Sequence, residues 1–246
     1  MKHNLFTIAA LLLGAATASA AGINLGWNDC PDGSSYSLTE TFACNSNEGV
    51  HTLVGSFVAP PEVVAMSANE FVVDIATATN PLPDWWRMAT GYCRAGSLVG
   101  NFDFTSGPFG CYDYWQGGAI GGIAEDLTNA SIGRARIKGV FALPAGDPRI
   151  TSVPEGTHVY SFKLIINHAK STGSGSCTGC GEEMCIVLQL IRLDQHPPLP
   201  IISLYNPATV QNAIWQAWTT PDPAHMCGGV VPTRQKTWGS IKALYR

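Results

Sequence analysis

Arg134-Ala135-Arg136-Ile137-Lys138-Gly139-Val140-Phe141-Ala142-Leu143 is the stretch that decides the fold class. Ala135, Ile137, Gly139, Phe141 and Leu143 are apolar or small, and they alternate with Arg134, Arg136 and Lys138. Period two places one set on a core and the other in water, the mark of a half-buried strand. The same period recurs on both sides. It is carried by Ile23, Leu25 and Trp27, by Leu53, Gly55 and Phe57, by Phe71, Val73 and Ile75, and by Tyr160, Phe162, Leu164 and Ile166. Gly100, Phe102 and Phe104 alternate with Val99, Asn101 and Asp103. Residues 186–193 are apolar on both faces apart from Gln189 and Arg192, which predicts a central strand. Residues 201–205 and 213–218 are weaker strand candidates.

Turn chemistry separates these runs: Pro31-Asp32-Gly33, Ala59-Pro60-Pro61, Asn80-Pro81-Leu82-Pro83, Gly107-Pro108 and Pro154-Glu155-Gly156. His196-Pro197-Pro198-Leu199-Pro200 reads as a stiff linker or an edge-strand breaker. Short strands joined by Gly and Pro turns predict an all-β protein, a disulfide-stapled β-sandwich of the immunoglobulin-like or jelly-roll kind. The pattern leaves the choice between those topologies open.

The two ends read differently. Lys2, an apolar run over residues 5–16 and Ala18-Ser19-Ala20 form a secretory signal peptide over residues 1–20, with the mature chain beginning near Ala21. The sandwich domain is expected over residues 21–218. Residues 219–246 form a basic, amphipathic C-terminal tail. Past Asp222 it has no acid and carries Arg234, Lys236, Lys242 and Arg246. Thr237 is placed to cap a short helix with Trp238, Ile241, Leu244 and Tyr245 on one face. Such a tail is either a sorting signal or a cap on an open sheet edge.

Charged residues are only 13% of the chain and the formal net charge is −4, a balance that argues against nucleic acid as a partner. No later segment is apolar for long enough to span a membrane. The expected location is extracellular or the cell envelope, including a periplasm. There the eight cysteines, Cys30, Cys44, Cys93, Cys111, Cys177, Cys180, Cys185 and Cys227, read as disulfides. Proximity suggests Cys30–Cys44 and Cys93–Cys111, each closing a loop of roughly 15 to 20 residues and contributing about 3 kcal/mol. The other four are expected to pair among themselves and tie Cys227 to the 177–185 loop. Zinc at Cys177-Thr178-Gly179-Cys180 is disfavoured, because no second pair stands at ligand spacing.

Several strings together carry a resemblance. They are Gly22-Ile23-Asn24-Leu25-Gly26-Trp27-Asn28-Asp29-Cys30, Leu82-Pro83-Asp84-Trp85-Trp86, Asp113-Tyr114-Trp115-Gln116-Gly117, Tyr160-Ser161-Phe162, Asn167-His168-Ala169-Lys170, Cys177-Thr178-Gly179-Cys180 and Thr237-Trp238-Gly239. Through them the chain resembles uncharacterised secreted proteins predicted from environmental bacterial genomes. No activity is assigned to that group, so the resemblance transfers no residue role. The strand layout also resembles cohesin-like sandwiches of bacterial surface assemblies, an analogy of fold alone.

Trp85, Trp86, Tyr112, Tyr114 and Trp115, with Asp84 and Asp113, form a candidate carbohydrate platform, because flat rings stack on sugars and carboxylates bind hydroxyls. The competing role for the rings is core packing, the commoner use of aromatic side chains. Asp103, Glu125 and Asp126 add carboxylates; Glu125-Asp126 reads as a turn after Gly121-Gly122. His51, His158, His168, His196 and His225 read as surface or turn residues. Arg134, Arg136 and Lys138 read as a solvated face. No nucleophile elbow, metalloprotease helix, phosphate loop or EF-hand is present, so no catalytic residue, metal or cofactor is indicated. The expected function is secreted, non-enzymatic binding or surface assembly, with a polysaccharide or another envelope protein as partner. The alternative is a carbohydrate-active protein, either a binding module or a glycoside hydrolase.

Overall fold

The computed structural model describes residues 21–32, 35–77 and 79–216. The expected signal peptide, Cys227 and the basic tail lie outside the described residues. Eleven strands build two sheets. In chain order they are β1 (Gly22–Trp27), β2 (Thr39–Glu40), β3 (Val50–Val58), β4 (Met66–Thr77), β5 (Leu98–Asn101), β6 (Ile120–Asp126), β7 (Arg134–Ala142), β8 (His158–Asn167), β9 (Met184–Gln195), β10 (Ile202–Leu204) and β11 (Asn212–Trp215). The four-stranded sheet runs β1-β3-β8-β5. The seven-stranded sheet runs β2-β11-β9-β4-β7-β6, with β10 also pairing β9. Among the described residues the helical content is two 3-10 turns, Asp84–Trp86 and Ala130–Ile132. No helix there is long and apolar enough to cross a membrane.

The sandwich interior follows from the alternation. On β7, Ala135, Ile137 and Phe141 are buried, whereas Arg136, Lys138 and Val140 are exposed. On β4, Phe71, Val73 and Ile75 face inward, and on β8 Tyr160, Phe162, Leu164 and Ile166 meet them from the other sheet. Phe71 and Phe162 stack across the interior with centroids 3.6 Å apart and planes 14° off parallel. Each ring lies over a glycine of the neighbouring strand. A Cβ on Gly139 would sit 2.3 Å from Phe71, and one on Gly55 would sit 2.2 Å from Phe162. β9 lies between β4 and β10/β11, the central place that its two apolar faces predict.

Two elements are shorter or longer than the sequence pattern suggests. β5 stops at Asn101, and Phe102 and Phe104 are buried from the loop that follows. Glu125 and Asp126, read as a turn, are the last residues of β6. The proline run 196–200 is the connection between β9 and β10, with a cis Pro197–Pro198 bond.

The disulfides correct the pairing expected from proximity. They are Cys30–Cys111, Cys44–Cys180 and Cys93–Cys177, with sequence separations of 81, 136 and 84. Cys185 is disulfide-bonded as well. Nearness in sequence fails as a guide because the six cysteines of these three bonds lie in the connections between strands, and strand pairing brings together connections that are far apart in the chain.

The sheet edges are treated unequally. β1 is covered by residues 206–210: Ile23 donates to the Asn206 carbonyl (2.9 Å), Leu25 donates to that of Val210 (3.1 Å), and Ala208 donates to that of Ile23 (3.1 Å). Asn24 Oδ1 accepts from the Thr209 hydroxyl at 2.7 Å and adds to this cover. β2 is only two residues long, and β5 four. β6 runs for seven residues and pairs only with β7.

Candidate functional site

Four of the five rings of the aromatic platform are closed to solvent. Trp85, Trp86 and Trp115 are 0% exposed and Tyr114 2%. Trp85 stacks on Trp215 at 5.2 Å, and its other face carries the Arg94 guanidinium 3.6 Å from the ring centroid. Its Nε1 donates to the Ser171 hydroxyl at 3.0 Å. Trp86 packs edge-on against Trp85 and Trp215. Trp115 Nε1 donates to the Tyr160 carbonyl at 3.0 Å, and its ring meets Tyr114 edge to face. Both faces of the best stacking ring are therefore occupied by the protein itself.

The polar members of the platform have structural partners too. Asp84 pairs with Arg87 at 3.3 Å. Asp113 Oδ1 accepts from the Gln116 backbone at 2.9 Å, and burial raises its pKa. Tyr112 is half exposed, with its backbone bridging to Val159. No Cys93–Cys111 bond joins the two ring groups; each is stapled elsewhere. Aromatics supply more buried area per residue than any other type, and here that use prevails.

Three histidines read as surface residues are packed instead. His168 stacks on Phe42 at 3.9 Å and lies 4.6 Å from His51, which meets Trp215 edge-on. Burial lowers the pKa of His51. His158 is held by Asn24 (2.9 Å) and Ser56 (3.0 Å), and burial lowers its pKa as well. Next to it lie Cys30 and Cys111. Their sulfurs are bonded to each other and so make no thiolate ligand set.

Two buried carboxylates anchor the loops. Asp29 Oδ1 accepts from Tyr160 Oη (2.5 Å), Cys30 N (2.7 Å) and Gly110 N (3.3 Å), and Oδ2 accepts from Ser35 Oγ (2.9 Å). Burial and the Asp29 carboxylate hold the Tyr160 hydroxyl well above the usual phenol range. Glu125 accepts from the backbone of Met88 (2.7 Å) and Ala89 (2.6 Å) through Oε2, while Oε1 is buried without a partner. Burial pushes its pKa up to about 7. These groups face the interior or a loop underside and present no paired carboxylates to a cleft.

The outer face of the seven-stranded sheet is open around Val72, Val140 and Leu190 and closed towards Asp74 and Val187, which are 8% and 2% exposed. The outer face of the smaller sheet is covered near β8, where Lys163 Nζ donates to the carbonyls of Asp103 (2.5 Å) and Gly107 (3.3 Å). On the larger sheet, register aligns outward residues in rows across β6, β7, β4 and β9. One row is Gly122, Val140, Glu70 and Arg192; the next is Ala124, Lys138, Val72 and Leu190; the third is Asp126, Arg136, Asp74 and Val187. Val72, Leu190, Val140, Gly122 and Ala124 line a shallow apolar depression of ≈ 490 Å³. Val140 is 48% exposed and Ile120, at the start of β6, 72%.

Charges around this apolar centre are paired. Arg136 binds Asp74 bidentately at 2.5 and 2.7 Å, which raises its pKa. Lys138 reaches Asp126 at 3.4 Å. Arg192 bridges Glu70 (3.1 Å) and Asp194 (2.9 Å). Neutral pairs spread over the face leave no field of one sign. The sequence shows the basic half of this surface in Arg134, Arg136 and Lys138, but the apolar half comes from four separate strands and has no local signature.

No family model matches the chain, and no curated protein matches it. Among solved structures, a type II cohesin domain from the cellulosome of Acetivibrio cellulolyticus superposes with a TM-score of 0.36 at 11% identity, over 80% of this chain and 95% of that chain. The sixth cohesin of that organism's scaffoldin B, in complex with a dockerin, gives 0.32 at 10% identity, over 79% and 97%. The two-sheet sandwich stands on this chain's own strand pairing, whatever these similarities are worth.

Proposed function

We propose that this protein is a secreted, non-enzymatic binding and assembly module that docks another envelope protein on the outer face of its larger sheet. The observation that carries this is the apolar centre of Val72, Val140 and Leu190, ringed by Arg136–Asp74, Lys138–Asp126 and Arg192–Glu70 pairs. An apolar patch with a polar rim is the anatomy of a protein interface. A sugar site instead needs an exposed ring, and the tryptophans proposed for it are enclosed. An anionic polymer needs a surplus of bases, whereas here Arg136, Lys138 and Arg192 each have an acid beside them. The disulfides suit an oxidising compartment.

The test incubates the oxidised protein with cell-envelope fractions and with insoluble polysaccharides, measuring bound protein and released sugar. Retention on protein-bearing envelope without sugar release, lost in Leu190→Glu and kept in a Trp85 variant, is the expected result. Retention on polysaccharide, or any released sugar, overturns the proposal and restores the carbohydrate-active alternative.

A further inference from the structure

The face just described ends at β6, and the edge of that strand is bare. Ile120-Gly121-Gly122-Ile123-Ala124 carries no charge, no proline and no bulge. Sheets ordinarily guard such an edge with lysine, proline, a bulge, a very short strand or a covering segment. The other edges of this sandwich use two of those devices: β1 is covered by residues 206–210, and β2 is two residues long. Among the described residues, the backbone of 120–124 makes no hydrogen bond except those to β7. Alternate N–H and C=O groups therefore point outward and meet no partner among the described residues. Ile123 is anchored inward against Gly100 of β5, so the strand is held firmly in place.

We infer that β6 is a homodimerisation edge: two copies of this chain pair β6 against β6 in antiparallel register, making one sheet that runs through both. The inference rests on the assembly reading above and adds the partner. The uncharged run is its own complement, which selects a second copy as occupant, and charge selects the register. Parallel pairing of two copies would bring Glu125-Asp126 beside Glu125-Asp126. Antiparallel pairing about Gly122 instead matches the uncharged run with itself, Ile120 opposite Ala124 and Gly121 opposite Ile123. It then brings Asp126 of one copy to Gly118 of the other, beside an Arg149 guanidinium that its own Asp147 already holds at 2.6 and 2.8 Å, and so keeps the two acidic pairs apart. Like charges directly opposed across a strand pair destabilise it. Antiparallel pairing about one central residue also gives the two-fold symmetry that closes a dimer and leaves no free end for a fibre.

Gly122 gives a clean test, because nothing lies within 4 Å of the position its Cβ would take. Gly122→Lys therefore leaves the monomer undisturbed and sets two ammonium groups face to face at the centre of the pair. Sedimentation equilibrium of the oxidised protein, over micromolar to millimolar concentrations, is expected to give twice the chain mass for the wild type and the single-chain mass for the variant. Circular dichroism should be unchanged, as should Tm at concentrations low enough for both proteins to be monomeric. Ile120→Lys, at a position 72% exposed, serves as the second variant if the first fails to fold. Gly122→Cys should give a covalent dimer whose linking peptides both contain position 122. A wild type that stays monomeric throughout, lysine variants that still dimerise, or a crosslink elsewhere overturns the inference. Because Leu190 lies three strands further in, envelope retention with a monomeric wild type would defeat the self-pairing alone. Dimerisation without retention would defeat only the docking proposal.

Discussion

Glu125→Gln should make the protein more stable at neutral and alkaline pH, although it removes a carboxylate that accepts two backbone hydrogen bonds. Glu125 Oε2 holds the Met88 and Ala89 amides at 2.7 and 2.6 Å, while Oε1 is buried without a partner. Burial outweighs both hydrogen bonds and the nearby Arg94 charge, and the pKa moves from its ordinary 4.5 to about 7. The folded state thus keeps a proton on Glu125 that the unfolded state releases. Between pH 4.5 and 7 unfolding frees that proton, so stability falls as pH rises through this window. Each pH unit of difference is worth about 1.4 kcal/mol, giving a loss of about 3 kcal/mol by the time the folded group has ionised. Glutamine keeps an acceptor for the two amides and never ionises, so its variant should lack the slope. Urea unfolding of both proteins from pH 4 to pH 8, disulfides intact, measures this directly. The two midpoints should lie close together at the acidic end and diverge towards pH 8, with the variant higher. Parallel curves, or a wild type that gains stability relative to the variant as pH rises from 4.5 to 7, would refute the argument that desolvation governs this carboxyl.

Other outcomes follow from the same packing. Trp85→Ala empties a site enclosed by Trp215, Arg94 and Trp86, and should cost about 3 to 5 kcal/mol in denaturant unfolding while leaving envelope retention unchanged. Tyr160→Phe deletes the shortest donor to the buried Asp29 carboxylate and should cost about 1 to 3 kcal/mol, read as a drop in Tm. Peptide mapping of the oxidised protein should find Cys30 linked to Cys111 and Cys93 linked to Cys177; replacing the latter pair by serine should remove about 4 kcal/mol, as expected for a loop of this length.

Alternation was legible because burial on one face writes itself into every second residue. β7 follows its sequence pattern position by position, and β9 occupies the central place its doubly apolar run implies; on β8 Tyr160, Phe162, Leu164 and Ile166 face the core as expected, but Val159, Ser161 and Lys163 are buried as well. β10 and β11 appear where weaker runs suggested them. Cysteine pairing was not legible, since it depends on which loops the two sheets bring together. Trp85 and Trp115 could not be assigned from sequence either: a ring in a loop looks the same whether it faces a ligand or Arg94 and Trp215. The outer face of the larger sheet was half visible. Arg136 and Lys138 announce a solvent side, but Asp74, Asp126 and Leu190 reach it from other strands, through register that no local pattern records.

The order of the cysteines along the chain has a bearing on how the molecule is made. Cys30 bonds with Cys111, and that link interleaves with both Cys44–Cys180 and Cys93–Cys177. A polypeptide that enters an oxidising space from its N-terminus presents Cys30 and Cys44 together long before Cys111 arrives. Oxidation in order of appearance would join the wrong thiols, and each such mistake occupies two of the final links at once. Correct bonds must therefore form late, on strands already assembled, or be reached by exchange through mixed disulfides. A host that produced this chain in an oxidising compartment would need a disulfide isomerase as much as an oxidant, and yield in a strain lacking the isomerase would fall while the same chain refolded with a thiol shuffle would recover.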